Sequence, residues 1–373
     1  MRTYALGVVP APPRLLGSLH DVITVRDDLS FLSGYHSPQV DVSVRLNTNE
    51  SPLPPPPGFV EELSKRVAGV AWNRYPDRMA DQLRQAIAGR HEVSPDQIFV
   101  ANGSNEVLQT VLLAYAGHGR RVACFEPGYQ MHAQISRVVG ADVVTFERGP
   151  NFALDPTRVA EFLADAQPSI VFLTSPNNPT GRSEPKEMID IICASCDCLL
   201  VVDEAYAEFG RWSALDEVAD NRPVVVTRTF SKTWSMAAAR LGYLVGPRAV
   251  VDSLWRTVLP YHLDAVTQLA GILALEYVDE MAHRVAAIVD ERERVGLQIA
   301  ELGLEVVPSD ANFLLFSSGG RDASAVWSAL VDRQVLVRDC SGWPGLSGWL
   351  RVTIGTSAEN DVFLNALKEI VNE

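Results

Sequence analysis

No uncharged apolar run in the sequence approaches the roughly 20 residues that a bilayer-spanning helix requires, so a membrane protein is not expected. The N-terminal stretch Ala5 to Val9 is ended by Pro10, which is too short for the apolar segment of an export signal. Basic residues are in deficit, 32 against 46 acidic for a net charge of −14. A general nucleic-acid footprint is therefore excluded, although a local basic pocket is not. Cysteine is scarce, five in 373 residues. The one cluster, Cys193-Ala-Ser-Cys196-Asp-Cys198, has no second ligand group to complete the four that structural zinc needs, so no metal is expected. Reduced thiols in a cytoplasm are the expectation. The nearest Gly-x-Gly, Gly117-His-Gly119, runs into Arg120, Arg121 and Val122 without a third glycine, which argues against a nicotinamide dehydrogenase. No internal repeat is visible, and the only low-complexity patch, Pro54 to Pro57, is an extended spacer.

What is present is a globular composition, 47% hydrophobic and 21% charged, in a chain too long for one ordinary core; two packed domains are expected. From Asp96 onward short β-branched runs alternate with longer amphipathic ones, the pattern of a mainly parallel sheet flanked by helices. The strand candidates are 97–101, 121–125, 142–146, 170–174, 199–203, 224–229 and 241–245. The last follows its predecessor too closely for a helical crossover, so it is expected to enter the sheet antiparallel. A helical pattern from Pro260 through Arg294 leads to a smaller α+β domain with strands near 305–307, 313–316, 335–338 and 350–354.

The residues that carry chemistry cluster at the predicted carboxyl ends of these strands, where open α/β sheets bind ligands. Lys232, in Phe230-Ser-Lys-Thr, follows a buried strand, and an amine that burial neutralises attacks aldehydes. Asp203 ends the apolar run Leu199-Leu-Val-Val, so its carboxylate emerges at the edge, where it can hold a pyridine nitrogen protonated. Tyr206 and Asn178, the latter in Ser175-Pro-Asn-Asn-Pro-Thr-Gly181, can donate to a phenolate oxygen. The amides of Ser104 and Asn105 open a helix after Asn102-Gly103, a natural phosphate cup that Ser231 and Arg240 would complete. Tyr129 can lie on a pyridine ring. Arg338 and Arg351, each on a strand of the second domain, offer guanidinium forks for a carboxylate or phosphate. An aldehyde, a pyridine nitrogen, a phenolate and a phosphate together describe pyridoxal 5'-phosphate.

These segments, with Leu46-Asn-Thr-Asn-Glu-Ser-Pro52, Asn73-Arg-Tyr-Pro-Asp77, Ala311-Asn-Phe313 and Val337-Arg-Asp-Cys-Ser-Gly342, resemble fold-type I PLP-dependent aminotransferases, and among them the histidinol-phosphate aminotransferases, from about Leu46 to Asp361. The resemblance implies the fold type I architecture, a large domain over 46–265 and a C-terminal small domain over 266–373, with 1–45 as an N-terminal arm and part of the small domain. It implies that Lys232 carries the cofactor as a Schiff base, with Asp203 and Tyr206 as catalytic partners. It implies a homodimer with shared active sites, in which Tyr75 of one chain reaches the cofactor phosphate of the other. Arg338 and Arg351, with Asn178, would hold a small-molecule amino donor and then a 2-oxo acid acceptor, histidinol phosphate and 2-oxoglutarate. A lid tyrosine of the family usually sits in a Pro-Tyr-x-Pro-Gly-like stretch; here the text is Ser33-Gly-Tyr-His-Ser-Pro38, making Tyr35 the candidate. Three other readings stay open at this point: an aromatic or other amino-acid aminotransferase, a threonine-phosphate decarboxylase on the same scaffold, and a PLP-sensing regulator domain, for which the arm leaves little room for a DNA reader.

Overall fold

A computed structural model describes residues 26–30, 32 and 39–373. The first group holds one short 3-10 turn, Asp27–Leu29; Tyr35 lies outside the described residues. Residues 39–373 run, in chain order, through β1 (Val44–Arg45), α1 (Phe59–Ala68), α2 (Asp81–His91), β2 (Ile98–Asn102), α3 (Gly103–Tyr115), β3 (Arg121–Glu126), α4 (Gln130–Val138), β4 (Asp142–Glu147), α5 (Pro156–Ala166), β5 (Ile170–Thr174), α6 (Met188–Ser195), β6 (Leu199–Asp203), β7 (Val224–Thr229) and β8 (Leu241–Val245). They continue with α7 (Arg248–Thr257), α8 (Ala265–Ala274), α9 (Val278–Glu301), β9 (Phe313–Ser317), α10 (Ala323–Asp332), β10 (Val335–Leu336), β11 (Arg338–Asp339), β12 (Trp349–Thr353) and α11 (Ser357–Asn372). Among the described residues no helix is long and apolar enough to cross a membrane.

The central sheet has seven strands in the order β2-β8-β7-β6-β5-β3-β4. All neighbours pair in parallel except β8, which runs antiparallel to both β2 and β7, as its short connection requires. Strands β5 to β8 are buried at every position, which explains why they read as unbroken apolar runs rather than as alternations. Because successive side chains point to opposite faces, each strand feeds two cores. Phe172, Val201 and Val225 pack with Val107, Val111 and Val251 of α3 and α7. Val171, Leu173, Leu200 and Val226 pack with Val159, Leu163 and Ile192 of α5 and α6.

A second layer is the antiparallel sheet β11-β12-β9, covered by α9, α10 and α11 through Val295, Ile299, Leu330, Phe363 and Leu367. Three expectations are corrected here. The strand expected near 305–307 is only a single bridge, Val306 to Phe316; Pro308 has no N–H with which to extend a ladder. The strand expected over 335–338 is two, because the chain changes partner: β10 pairs in parallel with β1, and β11 pairs antiparallel with β12. The continuous helix expected from Pro260 to Arg294 is broken. Asp264 caps α8 by accepting from the Thr267 N–H, a 3-10 turn intervenes at Leu275–Tyr277, and α9 then continues to Glu301.

Where the sheet delivers α3, the backbones approach as closely as glycine allows. A Cβ built on Gly242 of β8 would lie 2.3 Å from the Ser104 nitrogen and 2.4 Å from the Gly103 carbonyl carbon. Both obstacles are backbone and cannot rotate away. Gly242→Ala is therefore expected to destabilise the protein by about 2 kcal/mol or more, read as a lower midpoint in urea unfolding; an unchanged midpoint would contradict this packing.

Candidate active site

Three parallel strands run side by side, with Thr174 at the end of β5, Asp203 at the end of β6 and Thr227 of β7 in one register. Asp203 is 2% exposed. Its Oδ2 lies 2.9 Å from His132 Nε2, and its Oδ1 accepts from the Ala205 N–H at 3.2 Å. His132 is itself buried on α4, stacked on Phe172 with centroids 4.3 Å apart and planes at 4°. Tyr129, one turn earlier, meets the imidazole edge to face at 5.2 Å. The sequence reading missed His132. Its one signal is the spacing of three from Tyr129, which puts both on one face of a helix.

Lys232 sits in the turn after β7. Its Nζ donates to the Thr48 carbonyl at 3.0 Å and lies 5.9 Å from the Tyr206 ring centroid. Burial pushes its pKa down to about 8 from 10.5, with Arg351 and Arg240 adding repulsion against a smaller opposing pull from Glu50. The Tyr206 hydroxyl accepts from Asn49 Nδ2 at 2.9 Å. Asn49 is a joint: it adopts a left-handed backbone with φ 56°, its N–H donates to Thr353 Oγ1 at 2.9 Å, and its carbonyl accepts from Asn312 Nδ2 at 3.1 Å. The segments around residues 49, 312 and 353 thus converge on the tyrosine that flanks the lysine.

At the start of α3, Gly103 takes φ 77°, and a Cβ there would collide with the Arg240 guanidinium at 2.5 Å. Ser104 and Asn105 follow in the first turn, and Tyr129 Oη donates to Asn105 Oδ1 at 3.1 Å. Ser231 is buried, its Oγ accepting from Thr229 Oγ1 at 2.9 Å, which leaves its own proton for another acceptor. Helix N–H groups, a guanidinium and a hydroxyl are donors of the kind that bind anions.

Arg351, on β12, is buried over Phe313. Its Nη1 donates to Asn178 Oδ1 at 2.5 Å and its Nη2 to the Asn47 carbonyl at 2.9 Å; its Nε has no hydrogen-bond partner among the described residues. The Asn178 oxygen being engaged, the amide N–H groups are oriented to donate elsewhere. Arg338 stands opposite Arg351 in the β11–β12 register, so both guanidinia lie on one face of the small sheet, an arrangement that favours an anion near them. Tyr75 is not brought to this site within the chain: it is 79% exposed and stacks on Tyr261 at 4.6 Å. The donor set that is assembled, an amine depressed toward neutrality, a buried carboxylate held by a histidine, a phenol and anion-binding donors, fits pyridoxal phosphate group by group.

Comparison with known proteins agrees. A family model described as aminotransferase class I and II matches residues 42–367. The histidinol-phosphate aminotransferase of Frankia casuarinae is 44% identical over 364 residues, 93% of this chain and 90% of that protein. That of Thermobifida fusca is 44% identical over 356 residues, 93% and 95% of the two chains. The crystal structure of histidinol-phosphate aminotransferase from Sinorhizobium meliloti in complex with pyridoxal-5'-phosphate superposes with a TM-score of 0.82 at 27% identity, covering 89% of this chain and 91% of that one.

Only the neutral amine attacks an aldehyde, so the rate at which cofactor-free protein captures pyridoxal phosphate should rise with pH through a midpoint near 8. Arg351→Gln removes one cause of the depression and should move that midpoint upward. Capture that is flat across this range, or a midpoint that Arg351→Gln lowers, would contradict the assignment.

Proposed function

Since the chain belongs to the class I and II aminotransferase family, with pyridoxal phosphate as its cofactor, we propose that it transfers the amino group of histidinol phosphate to 2-oxoglutarate, giving imidazole-acetol phosphate and glutamate. The observation that carries this reading is the buried Arg351, which reaches Asn178 in the loop after β5 and stands opposite Arg338 in the β11–β12 register. Identity of 40–44% with histidinol-phosphate aminotransferases over most of the chain supports the choice of substrate.

When bound, pyridoxal phosphate supplies an aldehyde for the donor nitrogen and an electron-withdrawing ring beside the substrate Cα–H bond. Lys232 would anchor the group at rest and, once released, would be the base that takes the Cα proton. Its low pKa leaves it able to accept that proton near neutrality. Asp203 holds a proton at the ring nitrogen, and His132 fixes the carboxylate in place. Tyr206 and Asn178 would donate to the ring phenolate oxygen; Ser104, Asn105, Ser231 and Arg240 would hold the phosphate; Tyr129 would cover the ring. Arg351 and Arg338 take the donor's phosphate and then the acceptor's carboxylate. The two-module organisation, 46–265 holding the cofactor and 266–373 closing on it, belongs to the same reading, with Tyr35 as the lid residue and a cytoplasmic location.

A homodimer with shared active sites is also part of the proposal. Trp72, Tyr75, Leu259 and Tyr261 are large apolar side chains left exposed, and a Tyr75–Tyr261 stack at the rim of a cleft of about 340 Å³ is the kind of surface that marks an interface. Tyr75 of the partner subunit would then complete the phosphate cup.

Histidinol phosphate should be preferred over phenylalanine by on the order of 100-fold in kcat/KM, since the phosphate adds charge-assisted hydrogen bonds. Equal values would point to an aminotransferase for aromatic amino acids. Lys232→Ala should lower kcat by at least about 10³-fold, measured as glutamate formed from 2-oxoglutarate.

A further inference from the structure

A second cleft of about 620 Å³ opens between α9, the chain at Arg182–Ser183, the turn at Arg211 and the segment Val306–Asp310. It shares no residue with the set around Lys232. Its walls are apolar on one side, with Leu297, Val307 and Leu314, and cationic on the other, with Arg182, Arg211 and Arg292 against Glu293 and Asp310. Three guanidinia in one hollow is an unusual concentration in a chain of net charge −14.

Arg292 is the telling residue. The buried stripe of α9 runs Met281, Ile288, Arg292, Val295, Ile299, so this arginine occupies a position where the helix otherwise turns apolar side chains inward. It is 7% exposed, yet among the described residues its only hydrogen bond is from Nη1 to the Ala311 carbonyl at 3.0 Å, and no carboxylate lies within ion-pair distance. Four N–H donors are left over on a side chain that lines the cleft, and since no nitrogen of Arg292 is among the fully buried atoms lacking a partner, they face the cleft's solvent. Burial still lowers its pKa, against an opposing pull from Asp310 and Glu293, so an anionic partner in the cleft would be favourable. Arg182 likewise has no side-chain partner among the described residues. Arg211 is 89% exposed on its side chain and holds Asp310 only at 3.8 Å, loose enough to turn to another acceptor.

We propose that this cleft is a second anion site, separate from the reaction site, which takes a small organic anion with a phosphate or carboxylate head on an apolar body. The head binds Arg292 and Arg182, whose planar forks match either group, and the body lies along Leu297, Val307 and Leu314. The volume falls in the range of small-molecule sites. Occupancy would reach the reaction site through a short path: the Asp310 N–H donates to the Gly181 carbonyl at 2.7 Å, and Ser309 packs within 2.2 Å of where a Gly181 side chain would begin, in the loop that carries Asn178.

The test uses PLP-loaded protein and three probes of one shape, phenyl phosphate, benzoate and phenol, titrated by calorimetry at fixed ionic strength. Two variants accompany the wild type. Gly296→Leu fills the cleft from α9; its Cβ would sit 3.6 Å from Leu314 Cδ1, an ordinary contact, and a helix interior gains from losing glycine. Arg182→Gln removes one fork. Gly296→Leu should lose one phenyl phosphate site per chain, and Arg182→Gln should weaken that site by about tenfold, while turnover without probe stays within about twofold of wild type. A response to phenyl phosphate alone or to benzoate alone identifies which head the site takes. Identical binding in all three proteins, or phenol binding as tightly as phenyl phosphate, would overturn the proposal.

Discussion

The site depends on keeping one half-buried amine out of contact with any carboxylate. Among the described residues no acid lies within ion-pair distance of Lys232, although two buried acids, Asp203 and Glu204, stand at the end of a neighbouring strand. Each is engaged elsewhere. Asp203 is turned to His132; Glu204 accepts from Arg228 at 2.7 Å, from Ser213 and from the Ala214 N–H. Burial raises the Glu204 pKa against the pull of Arg228, while the arginine is held above its usual range by Glu208, Tyr243 and Glu204. Had either carboxylate turned to the lysine, the ammonium would be stabilised and its reactivity toward an aldehyde lost. The positive neighbours Arg351 and Arg240 act in the same direction as burial.

That arrangement requires the small layer to meet the large one at a defined point. The parallel pairing of β1 with β10 ties residues 44–45 to the C-terminal layer, and the chain then passes directly to Thr48, which accepts from Lys232, and to Asn49, which donates to Tyr206. Arg351 reaches across in the opposite sense, to Asn178 on the loop after β5 and to the Asn47 carbonyl. The two layers are thus joined by polar bonds made by the residues that surround the amine, and motion between them would be felt there first.

Much of this was legible in the sequence because strand and edge positions follow from local chemistry. The runs ending at Thr174, Asp203 and Thr229 are apolar on consecutive positions only because both faces are covered, and a charged or hydroxylated residue at such an end is necessarily at the ligand edge. The antiparallel entry of β8 followed from chain length alone. What escaped depends on contacts between distant segments. His132 is silent in sequence because its partner lies 71 positions away. The division of β10 from β11 depends on which neighbour each meets, and the break before α9 on a turn with no proline or glycine inside it. Arg292 looked like one more charge on an amphipathic helix; only the packing shows it on the buried stripe.

The most direct measurement is borohydride reduction of the PLP-loaded protein followed by proteolysis and mass mapping. Of the other lysines, Lys65 and Lys368 are exposed and Lys186 is partly exposed, and none of the three is among the residues that surround Lys232. The account requires one pyridoxyl group per chain on the peptide containing Lys232 and none elsewhere. A label on any of the other three, or no stable label at all, would contradict it.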